Sequence, residues 1–112
     1  MRVITGSARG RKLITLDGDD VRPTTDIVKE AMFSIIQFEI EGRKVLDLFG
    51  GCGQLAIEAL SRGADSAVIV DSSRKSIDVI KQNLQHTGFE KNAVAFQGDA
   101  LVGYYHREAT AA

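Results

Sequence analysis

The chain has 112 residues, with 14 lysines and arginines against 15 aspartates and glutamates, a size that suits one domain of modest core and leaves no room for two. A composition of 44% hydrophobic and 26% charged residues is that of an ordinary globular protein and excludes a disordered one. No apolar run approaches the ~18 residues of a membrane span and no apolar leader follows Met1, so a cytoplasmic protein is expected. The single cysteine, Cys52, excludes an internal disulfide, and His86 and His106 are too few for a zinc site of the usual kind.

The net charge of -1 conceals a local imbalance: Arg2, Arg9, Arg11 and Lys12 fall in the first dozen residues with no acid among them, and Arg22 follows. Such a patch can bind a phosphate backbone even on a neutral domain; the plainer reading is a solvated basic hairpin. Residues 2–6 and 12–16 alternate enough for two strands, and Ser7-Ala8-Arg9-Gly10 carries turn chemistry, so a β-hairpin is predicted. After a polar turn at 17–20, Pro23 holds Arg22 extended, and Thr24, Thr25 or Asp26 can cap a helix that starts near Thr25. Ile27, Val28, Ala31, Met32, Ile35 and Ile36 recur at helical spacing as its apolar stripe, with Lys29 and Glu30 facing away.

Gly42 ends the connection, and residues 44–49 read as a buried strand that breaks into the glycines of 50–53. A helix carrying Leu55, Ile57, Ala59 and Leu60 follows, ended by Gly63, and residues 67–71 form a second buried strand. Ser73 can cap a third helix with Ile77, Ile80 and Leu84 on one face; Gly88 ends it, and residues 92–97 form a third strand before Gly98-Asp99-Ala100. Strand and helix alternating in this way predict an α/β fold with parallel pairing and right-handed crossovers. Residues 1–41 are expected to form a basic hairpin plus helix, and residues 42–112 the first half of a doubly wound, Rossmann-like sheet. Tyr104 and Tyr105 read as packing rather than base stacking, His86 as a cation at a helix end, and residues 108–112 as a frayed tail.

Gly51-x-Gly53-x-x-Ala56 fits the permissive dinucleotide fingerprint, with an acid, Asp71, eighteen residues after Gly53. That pattern alone admits a nicotinamide nucleotide or S-adenosylmethionine. Asp47 separates them: a carboxylate just before the loop would repel a pyrophosphate, whereas S-adenosylmethionine is phosphate-free and carries an ammonium and a sulfonium. An oxidoreductase is therefore disfavoured. Asp71 can accept both ribose hydroxyls, and Asp99, after the third strand, the adenine amino group. The expected cofactor wall comprises Asp47, Phe49, Gly50, Gly51, Gly53, Asp71, Asp99 and Ala100. Cys52 reads as a small loop residue, since no base lies near it to make a nucleophile.

Asp47-Leu48-Phe49-Gly50-Gly51-Cys52-Gly53 closely resembles the Asp-Leu-Phe-Ala-Gly-Ser-Gly loop of the RsmD-like family, class I methyltransferases that modify guanine N2 in bacterial small-subunit (16S) rRNA. Met1-Arg2-Val3-Ile4-Thr5-Gly6, Gly10-Arg11-Lys12-Leu13 and the run from Arg22-Pro23-Thr24-Thr25-Asp26 to Phe33 are similar to that family's opening, and Ile57-Glu58-Ala59-Leu60-Ser61-Arg62-Gly63-Ala64 to its first helix; the match spans residues 1 to about 100. The resemblance implies methyl transfer from S-adenosylmethionine to a guanine amine of the rRNA or an assembly intermediate, with Arg2, Arg9, Arg11, Lys12 and Arg22 on the RNA. It also implies an Asp/Asn-Pro-Pro-Tyr motif, after a fourth strand, to hold the flipped base. Pro23 is the only proline, so that motif is not within these residues. A truncated form is expected, one that keeps the cofactor site, is inactive alone and has a bare first-strand edge that invites self-association. The alternative is a non-catalytic RNA-binding module.

Overall fold

The computed structural model describes residues 2–15, 23–36, 38–48 and 51–98, with backbone alone at 23–28. The elements run α1 (Pro23–Ile36), β1 (Lys44–Asp47), α2 (Gln54–Ser61), β2 (Ser66–Asp71), α3 (Arg74–Thr87) and β3 (Ala93–Gln97). The strands form one parallel sheet in the order β1-β2-β3. Val45 pairs with Ala67 and Asp47 with Ile69 across the first ladder; Ile69 pairs with Ala95 and Asp71 with Gln97 across the second. This is the expected half of a doubly wound sheet, with α2 and α3 as crossovers.

Each crossover helix stops for a local reason. At the end of α2, Gly63 takes φ +109, its amide reaches the Leu60 carbonyl at 3.1 Å, and the Ala64 amide reaches that of Ala59 at 3.0 Å. At the end of α3, Gly88 takes φ +83 and the Phe89 amide reaches the Leu84 carbonyl at 2.9 Å. Both satisfy carbonyls that the helix leaves open. Ser73 caps α3 as predicted, accepting from the Ser76 amide at 3.3 Å. Ile57, Ile69 and Ile80 are fully buried where α2, β2 and α3 meet, and Val3, Leu13, Phe33 and Ile40 from the amino-terminal segment belong to the same core.

Four expectations change. The hairpin has a single antiparallel bridge, Arg2 with Lys12, rather than two paired strands. Its intervening residues fold as turns onto α2, which accepts their amides: Ile4 and Thr5 donate to Glu58 at 2.8 and 3.0 Å, and Ser7 to the Ser61 carbonyl at 2.8 Å. Gly6 makes this contact possible, because a Cβ there would sit 1.9 Å from the Ser61 carbonyl oxygen. Second, α1 begins at Pro23, so Thr24, Thr25 and Asp26 lie within its first turn; proline suits that position because its fixed φ is helical and its missing amide would lack a partner anyway.

Third, α1 keeps only part of the expected face inward: Ile36 packs, partly buried, against the core and Glu30 is exposed as predicted, while the side chains of Ile27 and Val28 lie outside the described residues. Phe33 and Lys29 are buried, while Ala31 is exposed, Met32 is 37% exposed and Ile35 is 83% exposed. Lys29 goes inside because it is fully compensated there: its Nζ lies 3.4 Å from Glu58 Oε1 and donates to the Arg2 carbonyl at 3.1 Å. Arg62 completes the cluster, 2.9 Å from Glu58 Oε2 and stacked 4.7 Å over the Phe33 ring. Fourth, β1 is not buried: its residues alternate between exposed and half-buried, with Leu46 44% exposed, and among the described residues it pairs with β2 alone, which is the bare edge that was expected. It ends at Asp47: Leu48, predicted to continue it, is already in a bend, and Phe49 lies outside the described residues.

Candidate cofactor site and basic surface

Asp47 and Asp71 both finish parallel strands, so both stand at the carboxyl edge of the sheet, where a doubly wound fold binds its ligands. Between them the chain turns through Gly51 at φ +56 and Gly53 at φ +86, conformations that a side chain resists. The two glycines differ in their surroundings. A Cβ on Gly53 would make ordinary contact with Ile80 and Ile57 at 3.4–3.5 Å, so at this buried position it is the positive φ rather than crowding that calls for glycine. A Cβ on Gly51 would meet nothing within 4 Å among the described residues, which leave the loop backbone open there.

Asp71 is the keystone of the loop. Its Oδ2 accepts the Gly51 amide at 3.0 Å and its Oδ1 the Ser73 amide at 2.9 Å. Burial is the largest single influence on this carboxyl and pushes its pKa up, but the Ser73 and Gly51 amides, with the Ser76 hydroxyl, together outweigh it and hold the group below the ordinary aspartate value. Asp71 is therefore an anion at neutral pH, aimed by its own backbone contacts, with acceptor capacity beyond the two amides for hydroxyl donors such as that of Ser76. Gln54 opens α2 beside the loop, and its Oε1 is buried with no hydrogen-bond partner among the described residues. Asp47 is half-buried at the end of β1. An open glycine backbone, two carboxylates and a waiting amide oxygen make a set of acceptors and an anionic field, which fits an uncharged ribose and a cationic amino-acid tail and does not fit a pyrophosphate.

Phe49, Gly50, Asp99 and Ala100, also predicted for this wall, lie outside the described residues. Cys52 is buried; desolvation pushes its thiol pKa up, against weaker lowering by the Gln54 and Cys52 amides, so it is inert as a nucleophile. Among the described residues no group of three His, Cys, Asp or Glu could hold a metal, and no helix is long and apolar enough to cross a membrane.

Arg2 and Lys12 are cross-bridge partners, the Val3 amide bonds the Arg11 carbonyl at 2.9 Å, and Arg2, Arg9, Arg11 and Lys12 are all exposed. Arg22 lies outside the described residues. Sequence reasoning missed Glu58, Ser61 and Asn83, all buried. A signal existed for each: a polar residue within an otherwise apolar helix face, and for Glu58 an arginine four residues on.

The family model described as Conserved hypothetical protein 95 matches residues 1–111. The chain belongs to this family, the RsmD-like methyltransferases. It is 46% identical over 100 residues to YlbH of Bacillus subtilis (strain 168), covering 89% of this chain and 54% of that protein. It is 40% identical over 84 residues to Ribosomal RNA small subunit methyltransferase D of Escherichia coli (strain K12), covering 75% of this chain and 42% of that protein. The solved structure of yhhF from Escherichia coli superposes with a TM-score of 0.77 at 37% identity, over 87% of this chain and 52% of the other. The chain thus spans about half the length of the relatives it matches. The fold is that of class I methyltransferases, whose methyl donor is S-adenosylmethionine.

Proposed function

We propose that this chain is the donor-binding part of an rRNA methyltransferase, taking S-adenosylmethionine at the carboxyl edge of its sheet for transfer to a guanine N2 of small-subunit rRNA. The observation that carries the reading is Asp71, an aimed anion whose two oxygens already grip the glycine loop and the start of α3. Asp71 would accept the ribose hydroxyls, Asp47 would face the cationic end of the donor, and the bare backbone at Gly51 would let it approach closely. S-adenosylmethionine supplies an electrophilic methyl on sulfur. Arg2, Arg9, Arg11, Lys12 and Arg22 would engage RNA phosphates. Asp99 and Ala100 would meet the adenine, and Phe49 and Gly50 would complete the loop.

The relatives' names support an rRNA substrate. The base-holding Asp/Asn-Pro-Pro-Tyr motif is not within the 112 residues, so the chain by itself is expected to bind donor without turning over. Calorimetry with S-adenosylmethionine tests the first half: saturable binding that disappears in Asp71→Ala supports it, and the same weak heat in both proteins sinks it. Incubation with protein-free small-subunit rRNA and labelled donor tests the second, where any turnover by this chain refutes the inactive reading.

The four exposed cations of the hairpin favour a second reading, RNA binding without catalysis. Affinity that falls linearly in log salt and drops in Arg9→Ala and Arg11→Ala, with no response to donor, would select it. Self-association follows from β1, which among the described residues pairs with β2 alone. A strand edge is its own complement about a two-fold axis, so a second copy is the proposed occupant.

A further inference from the structure

Asn83 joins two segments that are distant in sequence. Its side chain is fully buried in α3. Oδ1 accepts the Ile14 amide at 2.7 Å, and Nδ2 donates to the Ile14 carbonyl at 2.9 Å and to the Cys52 carbonyl at 2.8 Å. Toward Ile14 the amide group behaves as a neighbouring strand would, pairing both backbone polar groups of one residue. Toward Cys52 it grips the peptide between the two glycines of the loop. One planar group therefore ends the arm that carries Arg11 and Lys12 and also fixes the loop that faces the donor.

We propose that Asn83 is a positioning residue that couples donor binding at the glycine loop to the placement of the RNA-contacting arm; this rests on the function proposed above. Both Nδ2 hydrogens are committed, so the Cys52 carbonyl cannot move far without either dragging the amide plane or leaving a buried donor unpaired, which is costly in a protein interior. Following the loop is the easier course, and the Ile14 pair follows with it. By linkage, RNA held on the arm raises donor affinity by the factor by which donor raises RNA affinity. The near end of the arm provides an internal control. Ile4 and Thr5 are held by Glu58, and Ala8 by Ser61, all on the later turns of α2 and not on the loop.

Residue-resolved amide exchange of the 112-residue chain, with and without saturating S-adenosylmethionine, reads this directly. Exchange at Ile14 is expected to slow by about fivefold or more on donor binding, with Ile4 and Thr5 unmoved. Asn83→Asp keeps an acceptor for the Ile14 amide and loses the donations to the Cys52 and Ile14 carbonyls; at a donor concentration that calorimetry shows to saturate the variant, the response at Ile14 should vanish. Saturable binding with Ile14 unchanged in the wild-type chain overturns the coupling and leaves the donor-binding reading intact. No saturable binding in the wild-type chain overturns both, and slowing at Ile14, Ile4 and Thr5 alike overturns the coupling in favour of general tightening.

Discussion

The two sides of this molecule are finished differently. Where α2, β2 and α3 meet, Ile57, Ile69 and Ile80 are 0% exposed, and the polar groups that share that interior, Glu58 and Asn83, are equally buried with their hydrogen bonds made. On the α1–β1 flank, Met32, Leu46 and Leu48 line an apolar groove of about 350 Å³ and are 37%, 44% and 46% exposed, while Ile35 reaches 83% and Phe38 92%. The amino-terminal arm belongs to the first side, since its amides are taken by α2 and by Asn83. The difference teaches that apolar sequence is not by itself a core: burial on the first side is secured by polar anchors that fix segments in place, among them the Lys29–Glu58 pair that holds the inner face of α1, whereas the outer flank offers apolar area and a strand edge. A flank of that kind is chemistry for something that adds a strand and covers carbon.

Removing an anchor should therefore do more harm than removing any exposed apolar group. Glu58→Ala strips the compensation from buried Lys29 and from the amides of Ile4 and Thr5; breaking a buried pair in this way costs about 3–5 kcal/mol. Urea unfolding measures it, and Lys29→Met added to that variant should restore part of the loss because the stranded cation is gone. A cost below about 1 kcal/mol would mean that the arm is held by its apolar contacts alone, and the contrast drawn between the two sides would fall.

Asp71 lies on the seam between the sides, since it ties the loop leaving β1 to the end of β2. Its effect is smaller because the group is partly solvated, and its sign is fixed by its pKa. Burial raises that pKa and the Ser73 and Gly51 amides lower it further than burial raises it, so the folded value lies beneath the unfolded one of about 3.9. The carboxylate then stabilises the fold above the unfolded value, and this contribution is lost as pH falls through the folded one. Stability measured from pH 7 down to pH 2 should drop more steeply in the wild-type chain than in Asp71→Asn, with the two curves converging at the acid end. Parallel curves would show that the loop is not held by this charge.

Much of the anchored side was legible in the sequence. The apolar runs of β2 and β3, the stripe of Ile77, Ile80 and Leu84, the cap at Ser73 and the stops at Gly63 and Gly88 each rest on a local rule, and the structure places each as expected. The face of α1 was legible only in part, because helical spacing there offers two stripes and the choice between them is made by Glu58, a partner 29 residues from Lys29. Periodicity favours the stripe with more carbon; the carboxylate favours the one that brings a lysine. The hairpin misled for a similar reason. Alternation in the arm suggests a ladder, but the amides of Ile4, Thr5, Ala8 and Ile14 go to side chains of α2 and α3, and no local pattern announces those. At the site, strand ends located the carboxylates, and the reach of Asp71 back to Gly51 appeared only with the fold.

The smallest expected effect on stability is the sharpest test of the flank. Ile35→Ser combined with Leu46→Thr removes apolar surface where the side chains are 83% and 44% exposed, and threonine keeps the strand preference of β1. Little burial is forfeited, so each change should stay within about 0.5 kcal/mol of the parent in urea unfolding. Association should respond instead. If a second copy covers the β1 edge, sedimentation of the parent shifts to larger species with rising concentration, and the double variant stays monomeric over the same range. A variant that remained monomeric only because it had unfolded would show lost helical circular dichroism, which separates the two outcomes. A loss of several kcal/mol with the fold otherwise intact would place these residues in a core, and the flank would then be an unanchored extension of the first side rather than a surface that waits for a partner.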